Sequence, residues 1–395
     1  MRQKKLQYLT IQQFTFLAYL FITTLMYFLS LSQGNEGVTY RLFGGGDDGY
    51  FYWFQAQNVA DGNTWIRTSI YPLIIGTLMR VTGIENVYLI RIFNYIGFLL
   101  LVAFSLKLIK AQFKMGDNRI DQEYKYKAQT LLLVSYLFYA SLQMNLNFSI
   151  IRDVWIYTVY ILSTYLSIKL IFHKKYRFFY LVVLAASIWL LGEFRGYAML
   201  SFLLSLGIYF AYTKVKLLKK PKRLAFVGLG AFAVYYSFFR DLTILGMSLR
   251  RALNYRAASL DTFSGGSQMW ISLDQSNFIL FLINYAHSYI GNLIGPLPWH
   301  ISGVSTLFIF LVETIPMVLI LRFLWKKRYL LMKAQKYILL HSFVWVSLIG
   351  FTNDNLGTAS RLRPVAWILI LIVFVVVYTK NKYLKDSIKK QVVVK

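Results

Sequence analysis

The sequence contains no cysteine and only four histidines in 395 residues. Without cysteine the chain can form neither disulfide bonds nor thiolate metal sites, and it has no thiol nucleophile. The histidines, which are His173, His287, His300 and His341, show no spacing typical of metal ligands. We therefore predict no metal site built on these two residue types.

Carboxylates are also scarce, since the chain has 16 acidic residues against 43 lysines and arginines and a formal net charge of +27. The sequence has no GxxxxGK phosphate loop, so that device for binding ATP is excluded. Apolar residues are abundant, at 57% of the total, and the mean hydropathy is +0.51. These values are far above those of a soluble protein and indicate an integral membrane protein.

The apolar runs are about 15–25 residues long, the length that a helix needs to cross the hydrocarbon core of a bilayer. We predict an all-α, polytopic membrane protein with a single membrane domain over residues 1–395. The ten predicted spans cover residues 11–32, 86–106, 128–145, 154–172, 178–192, 196–213, 224–240, 304–325, 337–351 and 364–379. Two further apolar stretches, 69–80 and 277–294, are predicted to be interfacial or re-entrant helices at the outer face, because counting either one as a span would export the lysines that follow it.

The lysines lie at only one end of these spans. All 25 lysines fall in one set of short loops and termini, which the positive-inside rule assigns to the cytoplasm. The N- and C-termini are then cytoplasmic, and the long segments 33–85 and 241–303 lie outside. Because the positive charge is spread over loops at the membrane surface, we expect no nucleic-acid partner.

Arginine is distributed differently from lysine. Twelve of the 18 arginines lie at or near the outer face, where no lysine is found. They are Arg41, Arg67, Arg80, Arg91, Arg152, Arg195, Arg240, Arg250, Arg251, Arg256, Arg361 and Arg363. The planar guanidinium group binds phosphate or carboxylate through two parallel hydrogen bonds, which lysine cannot do. Pairing with an outer carboxylate would explain any single arginine, but the whole set favours an anionic ligand.

The sequence GGGDDGY, in segment 33–85, places Asp47 and Asp48 directly after three glycines. One aspartate suffices to cap the helix that follows, an effect worth about 1 kcal/mol. Two adjacent carboxylates repel each other, and together they can raise a pKa or bind a divalent cation. A carboxylate here can also take a proton from a sugar hydroxyl as a general base. We predict a catalytic role for Asp47 or Asp48, with the helix cap as the alternative.

This acidic pair, the aromatic-rich helix after it, the YPL stretch at residues 71–73 and the arginine before the second span resemble the GT-C superfamily. Its members are polytopic glycosyltransferases that use polyprenyl-phosphate-linked sugars, as in the family 39 mannosyltransferases and the aminoarabinose transferases. The resemblance covers residues 10–110 and implies a GT-C-like fold, in which Asp47 or Asp48 is the catalytic base or a substrate ligand. The usual Asp-Glu-x-x-Tyr pattern is altered, because Asp48 replaces the glutamate and Phe51 the tyrosine, so it stays open which aspartate acts.

Four further stretches are similar to those of bacterial surface-polysaccharide transferases and repeat-unit polymerases. They are NFSIIRD (Asn147 to Asp153), GGSQMW (Gly265 to Trp270), GPLPW (Gly295 to Trp299) and NLGTASRLRP (Asn355 to Pro364). This resemblance implies a bacterial plasma membrane, a donor lipid built on undecaprenyl phosphate or diphosphate, and a glycan or lipid-linked acceptor.

The residues predicted to bind the donor phosphate are arginines at the outer face. They are Arg152, Arg195, Arg256, Arg361 and Arg363. Arg361 and Arg363 precede Pro364, and residues two apart in an extended segment point the same way, so we expect this pair to hold one phosphate. Anchoring of the last span at the membrane interface is the alternative.

Further candidate site residues are Asp153, Glu193, Glu313, Tyr52 and His300. Asp153 can form a local ion pair or helix cap, and Glu193 lies in the tight turn between spans five and six. Glu313 falls mid-way along the eighth span, where a carboxylate is costly, so we expect it to be protonated or paired with an arginine. Tyr52 belongs to the aromatic run 50–54, which can stack on sugar faces. His300 can line the outer site or have a purely structural role.

We expect an enzyme: a polyprenyl-phosphate-dependent glycosyltransferase that moves a sugar or oligosaccharide from an undecaprenyl-phosphate-type lipid to an acceptor at the outer face, in cell-surface polysaccharide synthesis. An aspartate of GGGDDGY would deprotonate the acceptor hydroxyl, and outer arginines would hold the charge that develops on the lipid phosphate. Two alternatives stay open, a repeat-unit polysaccharide polymerase and a non-enzymatic transporter or flippase for the same lipids. No cofactor is expected, except that a divalent metal can bind at Asp47 and Asp48.

Overall fold

The computed structural model describes residues 2–42, 48–115, 122–172, 176–215, 221–243, 248–262 and 267–393. The helices in these ranges are α1 (Arg2–Ser32), α2 (Gly49–Asp61), α3 (Tyr71–Thr82), α4 (Val87–Met115), α5 (Gln122–Phe138), α6 (Ala140–Asn147), α7 (Asp153–Phe172), α8 (Arg177–Phe194), α9 (Gly196–Lys214), α10 (Pro221–Phe238), α11 (Leu249–Thr262), α12 (Phe278–Ile294), α13 (Val304–Ile309), α14 (Ile315–Lys326), α15 (Lys333–Thr352), α16 (Leu356–Leu362) and α17 (Pro364–Val393). A π-helical turn, Phe310–Thr314, joins α13 to α14. There is no strand in these ranges, so the predicted all-α class is confirmed.

Seven helices of the described residues are long and apolar enough to cross a membrane. They are Arg2–Ser32, Val87–Phe113, Asp153–Phe172, Arg177–Phe194, Gly196–Lys214, Val304–Lys326 and Pro364–Ile388. By length and composition the chain therefore has the architecture of a multi-pass membrane protein. These helices coincide with seven of the ten predicted spans, while the count of ten and the GT-C-like fold stay predictions.

The other three predicted spans are helical but lie outside this set of seven. Residues 128–145 are divided between α5 and α6 at Tyr139, whose backbone is extended with φ −83° and ψ 95°. The predicted spans 224–240 and 337–351 correspond to α10 and α15. The two predicted interfacial stretches form α3 and α12, with 12 and 17 residues. At about 1.5 Å per residue, neither helix is long enough to cross about 30 Å of hydrocarbon.

The chain forms two compact units, each built from segments that are distant in sequence. The first unit comprises Met1–Met199, Ile320–Leu339 and Trp367–Lys395, and the second comprises Leu200–Leu319 and Leu340–Ala366. A single membrane domain over the whole chain stays a prediction.

In the first unit, the beginning of α7 is held against α4. The Thr158 hydroxyl donates to the Gly97 carbonyl at 2.8 Å, and the Trp155 indole N–H donates to Asn94 Oδ1 at 3.2 Å. A Cβ atom at Gly97 would lie 3.1 Å from the Trp155 ring, so the small residue permits this close approach. The contacts fix the position of the residues that precede α7.

The segment after α1 is tied to the same place. An isolated β-bridge joins Thr39 to Ser149, three residues before Arg152. Arg91 of α4, which is buried, donates to the carbonyls of Gly37 and Asn147 and so holds both segments together. Arg91, one of the twelve arginines predicted near the outer face, therefore serves the structure of this junction.

Helices α2 and α3 pack closely through Gly76. A Cβ atom there would lie 2.5 Å from the Ala56 carbonyl oxygen and 2.6 Å from Val59 Cβ, so a larger residue would push the two helices apart. The chain leaves α2 through Gly62, whose φ of 79° lies in the left-handed region that glycine tolerates. Arg80 of α3 donates from Nε to the Ala60 carbonyl at 2.8 Å. This hairpin presents the N-terminus of α2 beside the start of α7.

Candidate functional site

The acidic motif lies directly before α2. Asp48 occupies the N-cap position, whereas Asp47 and the three glycines lie outside the described residues. The Asp48 side chain makes no capping hydrogen bond to α2. The cap that was the alternative to catalysis is therefore not made by Asp48. The catalytic role of either aspartate and the divalent cation stay predictions.

Tyr52 lies one helical turn after Asp48 and is only 2% exposed. Its ring packs edge-on against Tyr71, with the ring centroids 5.4 Å apart, and the guanidinium carbon of Arg152 lies 5.5 Å from its centroid. These contacts bury the ring, whereas stacking on a sugar face needs an exposed ring face.

The hydroxyl of Tyr52 has a different environment from its ring. Among the described residues the hydroxyl makes no hydrogen bond, although the residue is buried. Burial raises the pKa of Tyr52 to about 12; Arg152 opposes this shift, while Asp153 and Asp48 add to it. The hydroxyl is therefore protonated and neutral at physiological pH, and it is an unused hydrogen-bond donor.

Asp153 begins α7 and is 1% exposed. Its partner is Arg195, from the turn between α8 and α9, with Nη1 3.4 Å from Asp153 Oδ1. Arg195 Nη1 also donates to the Tyr197 hydroxyl at 2.8 Å. A local ion pair with Arg152, one of the two structural roles open for Asp153, is not formed, because the carboxylate is paired with Arg195.

Arg152 has few partners for a guanidinium group that is largely withdrawn from water. Among the described residues it forms no ion pair within 4 Å, and its Nη1 is at 3.4 Å from the Thr68 carbonyl, near the limit for a hydrogen bond. Its Nε atom is buried and has no hydrogen-bond partner in the described part of the chain. Burial lowers the pKa of Arg152, and the nearby Arg195 adds to this effect. Buried donors without acceptors are costly, so an acceptor-rich anion would be bound favourably here.

Glu193 lies at the edge of this cluster. Its carboxylate accepts from Arg67 Nη2 at 2.6 Å, and its carbonyl accepts from the Ile70 amide at 3.0 Å. Arg67 is 68% exposed in its side chain, so the ion pair contributes little to stability. The pair connects the loop between α2 and α3 to the turn between α8 and α9. We define the Tyr52 site as Asp48, Tyr52, Arg152, Asp153 and Arg195.

Arg256, in the second unit, was predicted to bind phosphate, but the structure surrounds it with acceptors of the protein itself. The side chain is 1% exposed and donates to the carbonyls of Ile271 at 3.0 Å, Gly350 at 3.0 Å and Asn353 at 2.6 Å. It also forms an ion pair with the carboxylate of Asp354. Because these donors are used inside the protein, Arg256 holds loops together.

The predicted clamp of Arg361 and Arg363 is also not formed, because the segment is helical and not extended. Arg361 lies in the last turn of α16 and Arg363 follows with helical backbone angles, so the two side chains diverge by about 200° around the axis. Arg363 is buried and pairs with Glu313 of the π-helical turn and with the Gly295 carbonyl. Of the two states expected for Glu313, the structure has the one paired with an arginine.

His300 lies in a turn of the second unit, Pro298–His300, and its ring stacks on His287 with centroids 5.5 Å apart. The Leu297 amide donates to His300 Nδ1 at 3.3 Å. Burial lowers the pKa of His300 to about 4, with a smaller contribution from His287, so the ring is neutral at pH 7. Within the described residues there is no group of three or more side chains suited to hold a metal ion.

The sequence analysis missed Asp354, whose carboxylate accepts from the amides of Trp270 at 2.9 Å and Ile271 at 3.1 Å as well as from Arg256. Burial raises the pKa of Asp354, and Arg256 and the two amides oppose this shift. The only hint in the sequence that Asp354 is important was that acidic residues are rare, with 16 in the whole chain. Tyr197, the partner of Arg195, carried no comparable signal in the sequence.

Comparisons of the chain with protein-family models, with curated proteins and with solved structures find no match. The functional assignment therefore depends on the chemistry of the Tyr52 site and on the resemblance of the first loop.

Proposed function

We propose that the protein is a membrane glycosyltransferase that takes a sugar from a polyprenyl-phosphate-type lipid donor and acts at the Tyr52 site. The observation that supports this most is the state of Arg152. Its buried Nε atom has no partner in the described residues. Arg152 also lies beside α2, whose N-cap residue is Asp48. A cation that binds the lipid phosphate and a carboxylate that acts as the base are the two groups that this reaction requires at one place.

In the proposed reaction, Asp48 or Asp47 takes the proton of an acceptor hydroxyl. The acceptor oxygen forms a bond to the anomeric carbon of the sugar as the bond from that carbon to the phosphate oxygen breaks. The lipid phosphate leaves with one more negative charge than it had as a diester. Arg152 stabilises this charge, which develops in the transition state and is therefore the most effective target for a fixed cation.

Arg195 has a supporting role in this proposal. Its charge is balanced by Asp153, and its Nη1 donates to Tyr197 at 2.8 Å. Without Asp153, Arg152 and Arg195 would be two uncompensated cations in one site. Such a site would bind anions without specificity in preference to a singly charged phosphodiester. The Asp153 and Arg195 pair instead leaves Arg152 as the cation directed to the ligand.

The test uses purified protein in lipid nanodiscs with undecaprenyl phosphate carrying a radiolabelled sugar, in the presence of a membrane extract as the source of acceptor. Release of undecaprenyl phosphate and transfer of label are measured for the wild type, Asp47→Asn, Asp48→Asn and Arg152→Met. We expect at least one of the aspartate variants to lose about 10²-fold or more in turnover, the usual contribution of a general base. Asp61→Asn, at the exposed end of α2, is the matched control and should be unchanged.

The alternatives give different results. Labelled lipid that crosses a vesicle membrane without being consumed would identify a flippase. Long products made from lipid-linked oligosaccharide, and none from a single lipid-linked sugar, would identify a repeat-unit polymerase. Wild-type turnover in both aspartate variants would refute the catalytic role of GGGDDGY.

A further inference from the structure

We infer that the Tyr52 hydroxyl donates a hydrogen bond to the phosphate group that Arg152 binds, an inference that rests on the proposed function. Tyr52 is then a catalytic residue that contacts the donor, and not a platform for its sugar. The class of ligand is a phosphate ester of a polyprenol.

The Tyr52 hydroxyl is an unused hydrogen-bond donor on a largely buried residue. Tyr52 is 2% exposed, and among the described residues its hydroxyl has no hydrogen-bond partner. Two tyrosines close to it use theirs: the Tyr71 hydroxyl lies 3.1 Å from Asn94 Oδ1, and the Tyr50 hydroxyl donates to Asn35 Oδ1 at 3.2 Å. The hydroxyl of a largely buried tyrosine usually has a partner, so one without a partner is expected where a ligand supplies the acceptor.

A second unused donor, on Arg152, lies close to Tyr52. The Arg152 guanidinium lies against the Tyr52 ring at 5.5 Å, and its own Nε is buried without a partner in the described residues. A phosphate group offers several acceptor oxygens around one atom, so it can satisfy an arginine and a neighbouring hydroxyl together. A sugar hydroxyl would satisfy either donor but would leave the charge of Arg152 buried without compensation.

The Tyr52 hydroxyl keeps its proton beside these charges. Asp153 and Asp48 both raise its pKa, and neither carboxylate is hydrogen-bonded to it. With a pKa of about 12, it keeps its proton through the physiological range and acts only as a neutral donor to the anion. It can therefore stabilise the leaving phosphate without adding a second full charge to the site.

The experiment compares Tyr52→Phe with Tyr50→Phe, which removes a hydroxyl from the same helix. Binding of a short-chain polyprenyl phosphate, of inorganic phosphate and of the corresponding polyprenol is measured by titration calorimetry on purified protein, together with the melting temperature without ligand. For Tyr52→Phe we expect the dissociation constant of the polyprenyl phosphate to rise about tenfold or more, because a hydrogen bond to a charged group is lost. Binding of the polyprenol should not change, and Tyr50→Phe should bind all three probes as the wild type does.

The melting temperature separates ligand binding from a structural role. Removal of a hydroxyl that has no partner in the protein should leave the melting temperature of Tyr52→Phe unchanged or raise it. A lower melting temperature, with weaker binding of phosphate and polyprenol alike, would show a structural role and overturn the inference. An unchanged dissociation constant for both phosphate probes would also overturn it.

Two outcomes separate this inference from the proposed function. If the wild type binds the phosphate probe in a Tyr52-dependent way but consumes no lipid-linked sugar, the inference holds and the transferase function fails. If the wild type transfers sugar while Tyr52→Phe binds and reacts as the wild type does, the function holds and the inference fails. Equal, Tyr52-dependent binding of inorganic phosphate and polyprenyl phosphate supports the hydroxyl contact and shows that the lipid chain adds no affinity.

Discussion

Arg256→Met tests the corrected role of an arginine that the sequence suggested for ligand binding. The substitution keeps a long side chain but removes the charge and every hydrogen-bond donor. We expect it to lower the free energy of unfolding by about 3–5 kcal/mol, because Asp354 is left as a buried carboxylate without its counter-ion.

The contacts of Arg256 support this magnitude. Its N–H groups serve three backbone carbonyls, those of Ile271, Gly350 and Asn353, as well as the carboxylate of Asp354. Asp354 would keep only its two bonds from backbone amides, of Trp270 and Ile271. Each hydrogen bond to a charged group contributes about 1.5–3 kcal/mol, so the loss of several exceeds the effect of an ordinary surface substitution.

The assay is reversible chemical or thermal unfolding of the protein in detergent, followed by tryptophan fluorescence. The matched control is Arg250→Met, on the same helix α11. Arg250 pairs with Asp241 at 2.6 Å, but the two side chains are 59% and 71% exposed, so the expected loss is below about 1 kcal/mol. The double variant Arg256→Met with Asp354→Leu should recover much of the stability that Arg256→Met loses, because no buried charge remains.

The reasoning is refuted if Arg256→Met and Arg250→Met are equally stable. It is also refuted if Arg256→Met folds normally and its defect is confined to weaker binding of the lipid donor, since that pattern belongs to a ligand-binding arginine. A defect in the amount of folded protein, with normal activity per folded molecule, agrees with the structural role.

Three further predictions concern topology, packing and pH. A single cysteine at Asn63 should react with an impermeant thiol reagent added to intact cells, whereas one at Lys333 should react only after the cells are opened; both positions are exposed, and the opposite pattern would disprove the assignment of sides. Gly76→Ala should cost about 1–3 kcal/mol in the unfolding assay because its Cβ would lie 2.5 Å from the Ala56 carbonyl oxygen; Gly207→Ala, with open space at its Cβ, should cost nothing or gain up to about 1 kcal/mol. His300 has a folded pKa of about 4, below its ordinary value, so its contribution to stability should be present above about pH 6.5 and decline as the pH falls toward 4; His300→Gln should lose this part of the pH dependence, and an unchanged profile would contradict the assignment.

The helices and most of the candidate spans could be predicted from the sequence, because the property that creates them is local. A run of apolar residues long enough to cross a bilayer must satisfy its backbone hydrogen bonds within itself, and a helix does so. The start of α2 was also visible, since Asp48 and the glycines before it precede an unbroken helical segment. Even α16 had a local signal that the prediction of an extended segment overlooked: the side chain of Asn355 caps it by accepting from the Thr358 amide at 3.0 Å.

The role of each arginine was decided only by the tertiary structure. Arg152 and Arg256 are the same residue type and are predicted on the same side of the membrane. Acceptors from distant segments of the chain surround only Arg256. Its counter-ion, Asp354, is 98 residues away along the chain. No periodicity or spacing in the sequence encodes this contact. A buried guanidinium group is satisfied by whichever carbonyls and carboxylates the packing of whole helices brings to it, and that packing supplies acceptors to Arg256 but none to Nε of Arg152 in the described residues.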